Sequence, residues 1–354
     1  MSWPVRVLGA VAGLAAALVP ASGASAHGAD APDGTNYRTT VTTVTPAVAG
    51  LTVRAVEAGG RLELTNHSGR TIEVLGYSGE PYLEVRPDGV YENTRSPATY
   101  VNETLTADSP VPASADPTAA PEWRQVSGEP VARWHDHRTH WMSPDPPPEV
   151  AADPGRPHRV RDWVVPLRDG VSTMEVRGTL DWVPPPAAGL WWALVVGGAL
   201  AVAALGLAWA RTRPALGALS IVGGLAALCY AVARELDAGA PGPGTVLLQL
   251  LTADVWTVLA ALAAIAAGIY ALARRPAADF ALALAGVCLA VFAGLVNVVV
   301  FSRGVAPVPW PADWARGLTA FVIATGAGVA GAAALHLRAA SRTLTVDHRQ
   351  SGAK

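Results

Sequence analysis

Residues 181–213 read DWVPPPAAGLWWALVVGGALAVAALGLAWARTR, and the change of pattern within them decides how the whole chain is organised. Upstream of Pro184-Pro185-Pro186 the sequence is polar and alternating; downstream, Gly189–Ala210 carries no charged residue. At about 1.5 Å of rise per residue, a run of that length crosses the ~30 Å hydrocarbon core of a bilayer as one helix. Ala215–Ala233, Val246–Ala273, Phe280–Phe301 and Leu318–Leu337 qualify in the same way, so an α-helical transmembrane bundle of five spans is expected over residues 187–338. The composition agrees: 51% of the 354 residues are hydrophobic and only 15% charged, too apolar for a chain lying wholly in water.

Basic residues set the orientation. Arg211 and Arg213 follow the first span, Arg274 and Arg275 the third, and Arg338, Arg342, Arg349 and Lys354 the fifth, all on one side. The positive-inside rule makes that side cytoplasmic. A multi-pass protein of the plasma membrane is expected, with an extracytoplasmic N-terminal domain and a cytoplasmic tail over residues 339–354. Trp191, Trp192, Trp310 and Trp314 lie near the outer ends, where indoles anchor in the headgroup layer.

The N-terminus supports the same topology. Arg6 precedes an apolar run from Val7 to Val19, then Pro20 and the small-residue site Ala24-Ser25-Ala26, the pattern of a signal peptide over residues 1–26. Cleavage after Ala26 would give His27 a free α-amino group beside its imidazole. The exported part, residues 27–186, has no cysteine, since Cys229 and Cys288 both lie in apolar runs, so its own core must stabilise it.

From Tyr37 to about Glu84, short alternating runs (TTVTTV, LTVRAVEA, RLELTN, TIEVLGY, YLEVRP) are separated by Gly, Asn and Pro. DWVVPLRD and STMEVRGTLDW follow later. This period of two predicts an all-β domain, an antiparallel sandwich of immunoglobulin-like kind. Between the two groups, Tyr91 to Arg161 reads as a long proline-rich loop, too long for a hairpin turn and of a kind often functional.

That loop holds the densest histidine group, Trp134-His135-Asp136-His137-Arg138-Thr139-His140-Trp141-Met142. On a strand, His135 and His137 point to one face, and a turn can return His140 beside them. Neutral imidazoles suit Cu(II), Zn and Ni; the Met142 thioether favours Cu(I), and an N-terminal His27 chelates Cu(II) through amine and imidazole. The candidate metal ligands are therefore His27, His135, His137, His140 and Met142, with Asp136 placed to orient an imidazole. Two other readings stand beside this one. The tryptophans can pack the loop onto the sandwich while His and Asp make ordinary hydrogen bonds, or the run can meet a protein partner.

No catalytic motif is present: there is no G-x-S-x-G elbow, P-loop, H-E-x-x-H or EF-hand loop. Dense basic clusters that would neutralise nucleic-acid phosphates are also missing. The protein is read as a non-enzyme whose partners are the lipid bilayer, a metal ion and an envelope protein, and not nucleic acid. Asp254 and Asn297 lie near the outer ends of their spans, Glu235, Asp237 and Asp313 border the outer leaflet, and the inner half offers almost nothing comparable. Gly223-Gly224 and Gly326-Ala327-Gly328 suit close helix packing instead.

Ala24-Ser25-Ala26 followed by His27, the strand-rich region and the appended spans resemble the layout of bacterial copper-resistance proteins of the C and D type. The resemblance implies a copper-resistance-C-like sandwich and makes copper the first cofactor to expect. Here, however, ten polar residues from His27 through Asn36 precede the first strand, and the membrane part has five spans rather than the larger number usual in the D family. The expected function is metal binding, copper favoured, at the outer face. An envelope assembly factor and a transporter with a ligand-capturing domain are the alternatives.

Overall fold

The computed structural model describes residues 34–240 and 242–351; the expected signal peptide and His27 lie outside them. Ten strands lie among the described residues before Pro184: β1 Tyr37–Thr45, β2 Leu51–Val56, β3 Arg61–Asn66, β4 Ile72–Leu75, β5 Pro81–Arg86, β6 Gly89–Asn93, β7 Trp123–Ser127, β8 Val131–Trp134, β9 His158–Asp169 and β10 Ser172–Trp182. All pairings are antiparallel. A seven-stranded sheet runs β1-β10-β9-β4-β5-β6-β7, and a three-stranded sheet runs β2-β3-β8.

The alternation seen in the sequence becomes the core between these sheets. Leu62 and Leu64 of β3 meet Ile72 and Val74 of β4, Trp163, Val165 and Leu167 of β9, and Met174, Val176 and Leu180 of β10, all buried. Gly178 sits opposite Trp163 in the β9–β10 register, and a Cβ there would collide with the indole. The missing side chain lets Trp163 lie across β10 and seal the core.

The long loop is the first departure from expectation. Within residues 91–161 the chain completes β6, forms β7 and β8, and makes short helical turns at Pro97–Val101, His137–Thr139 and Pro148–Ala152. The new strands are too short and too closely framed by Pro and Gly to show a period of their own.

Among the described residues five helices are long and apolar enough to cross a membrane: α1 Ala188–Ala208, α2 Arg213–Asp237, α4 Val255–Leu272, α5 Ala278–Phe301 and α6 from Ala312. The protein is a multi-pass membrane protein. The expected third span, Val246–Ala273, is broken in two: a short helix α3, Pro243–Thr252, precedes α4, and Asp254 caps the break with non-helical angles. A single helix over that run would be roughly 42 Å long, well beyond the ~30 Å core. Helix α6 runs on to Ser351, through the first part of the region expected as a tail from residue 339.

Small residues hold the helices together, as they do where no hydrophobic effect separates helix from lipid. Gly217 of α2 lies 2.8 Å, from its would-be Cβ, to the carbonyl of Gly268 in α4, and Gly286 of α5 faces the Gly326 carbonyl of α6 at 2.6 Å. α1 is peripheral, touching α6 through Gly198 and Gly206. Trp191 and Trp192 do more than anchor: they stack on and edge into buried Phe301 at 6.0 and 5.6 Å, whereas Trp314 is 70% exposed as an interfacial anchor should be.

The sandwich is clamped to one end of the bundle at two places. Thr35 and Val305 exchange backbone hydrogen bonds of 3.1 and 2.8 Å, and the Gly304 N–H donates to Asn36 Oδ1 at 2.7 Å. On the other side the Ala58 N–H donates to Asp237 Oδ2 at 2.7 Å, and Arg133 donates to the Gly239 carbonyl. Glu57 and Ala58 both hold left-handed φ values of 56° and 54°, a strained turn fixed by this contact with α2.

Candidate functional site

The histidine run leaves β8 at Trp134 and turns at once. Asp136, fully buried, accepts from the Trp134 indole at 3.0 Å, from the Arg138 backbone N–H at 3.2 Å and from the Arg138 guanidinium at 2.7 and 2.8 Å. It thereby caps the turn His137–Thr139, and these bonds tie its carboxylate to Trp134 and Arg138. The expectation that His135 and His137 share a strand face is corrected by this cap: β8 has ended before either residue, and an Asp followed by a turn outcompetes two more ladder positions.

The three histidines then go separate ways. His135 is buried; its Nδ1 lies 2.6 Å from the Gly60 carbonyl and its Nε2 accepts from Arg61 Nε at 3.1 Å. Both of its ring nitrogens are engaged, which fixes the neutral Nδ1–H tautomer. His137 stacks on Tyr77 with ring centroids 6.3 Å apart and donates from Nε2 to the Thr104 carbonyl at 3.1 Å. His140 differs: its Nε2 is buried and has no hydrogen-bond partner. Burial pushes its pKa down to about 4, so it is neutral at physiological pH. Among the described residues no group of three or more His, Cys, Asp or Glu is arranged to hold a metal ion.

His140 and Met142 do meet, however, in the wall of a cavity of about 580 Å³ at the junction of sandwich and bundle. Its walls are aromatic and come from distant parts of the chain: Tyr37 opens β1, Trp182 closes β10, and Trp141 comes from the histidine run. Tyr37 and Trp182 are register partners and pack edge to face at 5.2 Å. Both indole N–H groups are already used, Trp141 donating to the Asp145 carbonyl at 2.7 Å and Trp182 to that of Pro154 at 3.0 Å, so the rings offer apolar surface. Arg303, just beyond the end of α5, supplies the cavity's only charged side chain among the described residues.

Sequence reasoning found His140 and Met142 but missed Tyr37, Trp182 and Arg303, because nothing local marks them as neighbours. It also passed over polar groups inside the bundle. At the end far from the sandwich, Arg213 of α2 grips Asp279 of α5, with Nε 3.0 and 3.1 Å from its two oxygens, and His336 Nδ1 of α6 lies 3.0 Å from the same carboxylate. Asp279 and His336 are buried. This corrects the expectation of an almost apolar inner half: His336 lies within the expected span Leu318–Leu337, and an ionisable residue there was a legible signal.

At the sandwich end, α5 changes to a π turn over Leu289–Gly294 and then to a 3-10 turn. Such changes free backbone carbonyls. Thr257 donates to that of Phe292 at 3.0 Å and Asn297 to that of Ala293 at 2.9 Å, while Arg234 donates to Asn297 at 3.1 Å. These buried groups bond to carbonyls at the change of helix type and to one another. Comparison of the chain with protein-family models, with curated protein sequences and with solved structures found no match.

Proposed function

We propose that this protein is a non-enzymatic binding protein of the outer membrane face, in which the sandwich captures a small ligand in the junction cavity and the bundle serves as its anchor. One observation carries the reading: a cavity of about 580 Å³ whose wall is built from both halves of the chain. Pockets of 300–1,000 Å³ with mostly apolar walls and a few polar groups are the usual form of a small-molecule site. Anchoring rather than transport is favoured by the Gly–Gly contacts between the two polar clusters of the bundle.

The test is native mass spectrometry of the full-length protein released from its own membranes, compared with Thr106→Trp, which fills the cavity from an exposed position in its wall. A small molecule retained by the wild type and lost from the variant is expected. A wild type that is bare, or a ligand kept by both proteins, refutes the reading.

A second reading keeps the metal. His140 and Met142 lie in one cavity wall, and a neutral imidazole with a thioether is a donor pair suited to Cu(I). His135 and His137 drop out of this smaller donor set because their nitrogens hold the fold. Copper(I) titration of the full-length protein should then weaken with His140→Ala and with Met142→Leu. Equal binding by all three proteins would dismiss copper at this place.

A further inference from the structure

We propose that the ligand of the junction cavity is an organic phosphate ester carried on an apolar body, with its anionic group held by Arg303 and its apolar part against Tyr37, Trp141 and Trp182. This inference rests on the cavity reading above and adds the chemistry of the occupant.

Charge argues first. Arg303 is exposed, forms no ion pair among the described residues, and lines a cavity in which no carboxylate side chain is found among them. Several arginines of the sandwich are, by contrast, paired with carboxylates: Arg54 and Arg133 with Glu63, Arg70 with Asp169, Arg159 with Asp181. An unpaired guanidinium in a concave site attracts an anion, and its planar fork matches a phosphate.

The second argument is placement. Trp182 stands six residues before the start of α1 and Arg303 two residues after the end of α5. Both are therefore held at the level where a bilayer's headgroups begin. The Gly304 N–H bond to Asn36 and the Arg316 bonds to the carbonyls of Arg303 and Gly304, at 2.7 and 3.0 Å, fix the segment that presents Arg303. The backbone under the guanidinium is thus built, while its side chain is free to bind.

The third is the wall. With their N–H groups committed, the two indoles and the Tyr37 ring present faces and edges that suit glycerol or acyl carbon rather than a strongly solvated small ion. The same phosphate ester chemistry occurs in a lipid headgroup and in a soluble glycerol phosphate, so the experiment separates the two.

Full-length protein in neutral detergent is offered equal amounts of dioleoylphosphatidylglycerol and dioleoylphosphatidylcholine, with and without glycerol 3-phosphate, and bound lipid is read by native mass spectrometry. Preference for phosphatidylglycerol is expected, reduced about tenfold by Arg303→Gln, the loss of one charge-assisted contact. Displacement by glycerol 3-phosphate would assign a soluble ester, and its failure to displace would assign the lipid. Equal retention of the two lipids with no binding of glycerol 3-phosphate, or a preference unchanged in Arg303→Gln, overturns the inference. An unchanged unfolding midpoint verifies that Arg303→Gln is folded. A ligand that depends on Thr106→Trp but not on Arg303→Gln would leave the cavity reading standing and remove the phosphate; dependence on neither removes both.

Discussion

The sandwich and the bundle solve the problem of a stable interior by opposite means. Between the sheets the interior is made of large side chains, Trp163, Leu62, Ile72 and Met174 among them, and burial from water is the driving force. Between the helices Ala and Gly predominate at the closest approaches, with larger side chains such as Leu216, Leu282 and Phe301 among them, because lipid already solvates apolar side chains and close backbone approach or a hydrogen bond is what adds stability. The difference teaches where each half is vulnerable: the sandwich to loss of volume, the bundle to its gain.

Trp163→Ala puts the first half of that comparison to its hardest test. The substitution empties the centre of the β9–β10 face and should cost the sandwich ~3–5 kcal/mol, read as a fall in its unfolding midpoint, with the helical signal of the bundle retained. A loss below about 1 kcal/mol would mean that the core does not depend on volume. Next in size is a pH effect. His140 has a folded pKa of about 4, below its unfolded value, so the unfolded chain binds the extra proton and stability is lost as pH falls from about 6.5 toward 4. The effect is on the order of 3 kcal/mol across that window, and His140→Gln should flatten the corresponding part of the midpoint-versus-pH curve.

Gly268→Leu tests the opposite vulnerability. Its side chain would enter the space of the Gly217 carbonyl and of Ile221, forcing α2 and α4 apart at a cost of ~1–3 kcal/mol, measurable by unfolding in mixed micelles. If the variant is as stable as the wild type, the close approach of these helices is not what holds them. The smallest effect belongs to Thr257→Val, which removes the donor to the Phe292 carbonyl and should cost about 0.6 kcal/mol, the average for a hydrogen bond within a bilayer.

Legibility in the sequence followed the same division. β1 to β5, β9 and β10 announce themselves because each alternates over enough residues to register a period, and the spans do so because lipid demands length. β7 and β8 escaped notice: Val131–Trp134 is a four-residue strand that starts directly after Gly-Glu-Pro, and only its pairing with β3 makes it a strand. The candidate site was half legible. Its histidines stood out as a cluster, yet adjacency in sequence did not bring their nitrogens together, since Gly60, Arg61 and Thr104 claim two of the three rings.

What the sequence by itself determined was everything that depends on composition along a line: an alternating, cysteine-free half that must fold on its own core, and an apolar half long enough for five spans. Tertiary structure alone decided what depends on partners far apart in the chain. Asn36 meets Gly304 across 268 residues, His135 meets Gly60 across 75, and Arg213 meets Asp279 across 66. Hydropathy and periodicity are averages over neighbours, whereas a hydrogen bond or a cavity wall is a coincidence of two or three positions in space. No local pattern encodes that coincidence, and so the junction cavity came into view only with the fold.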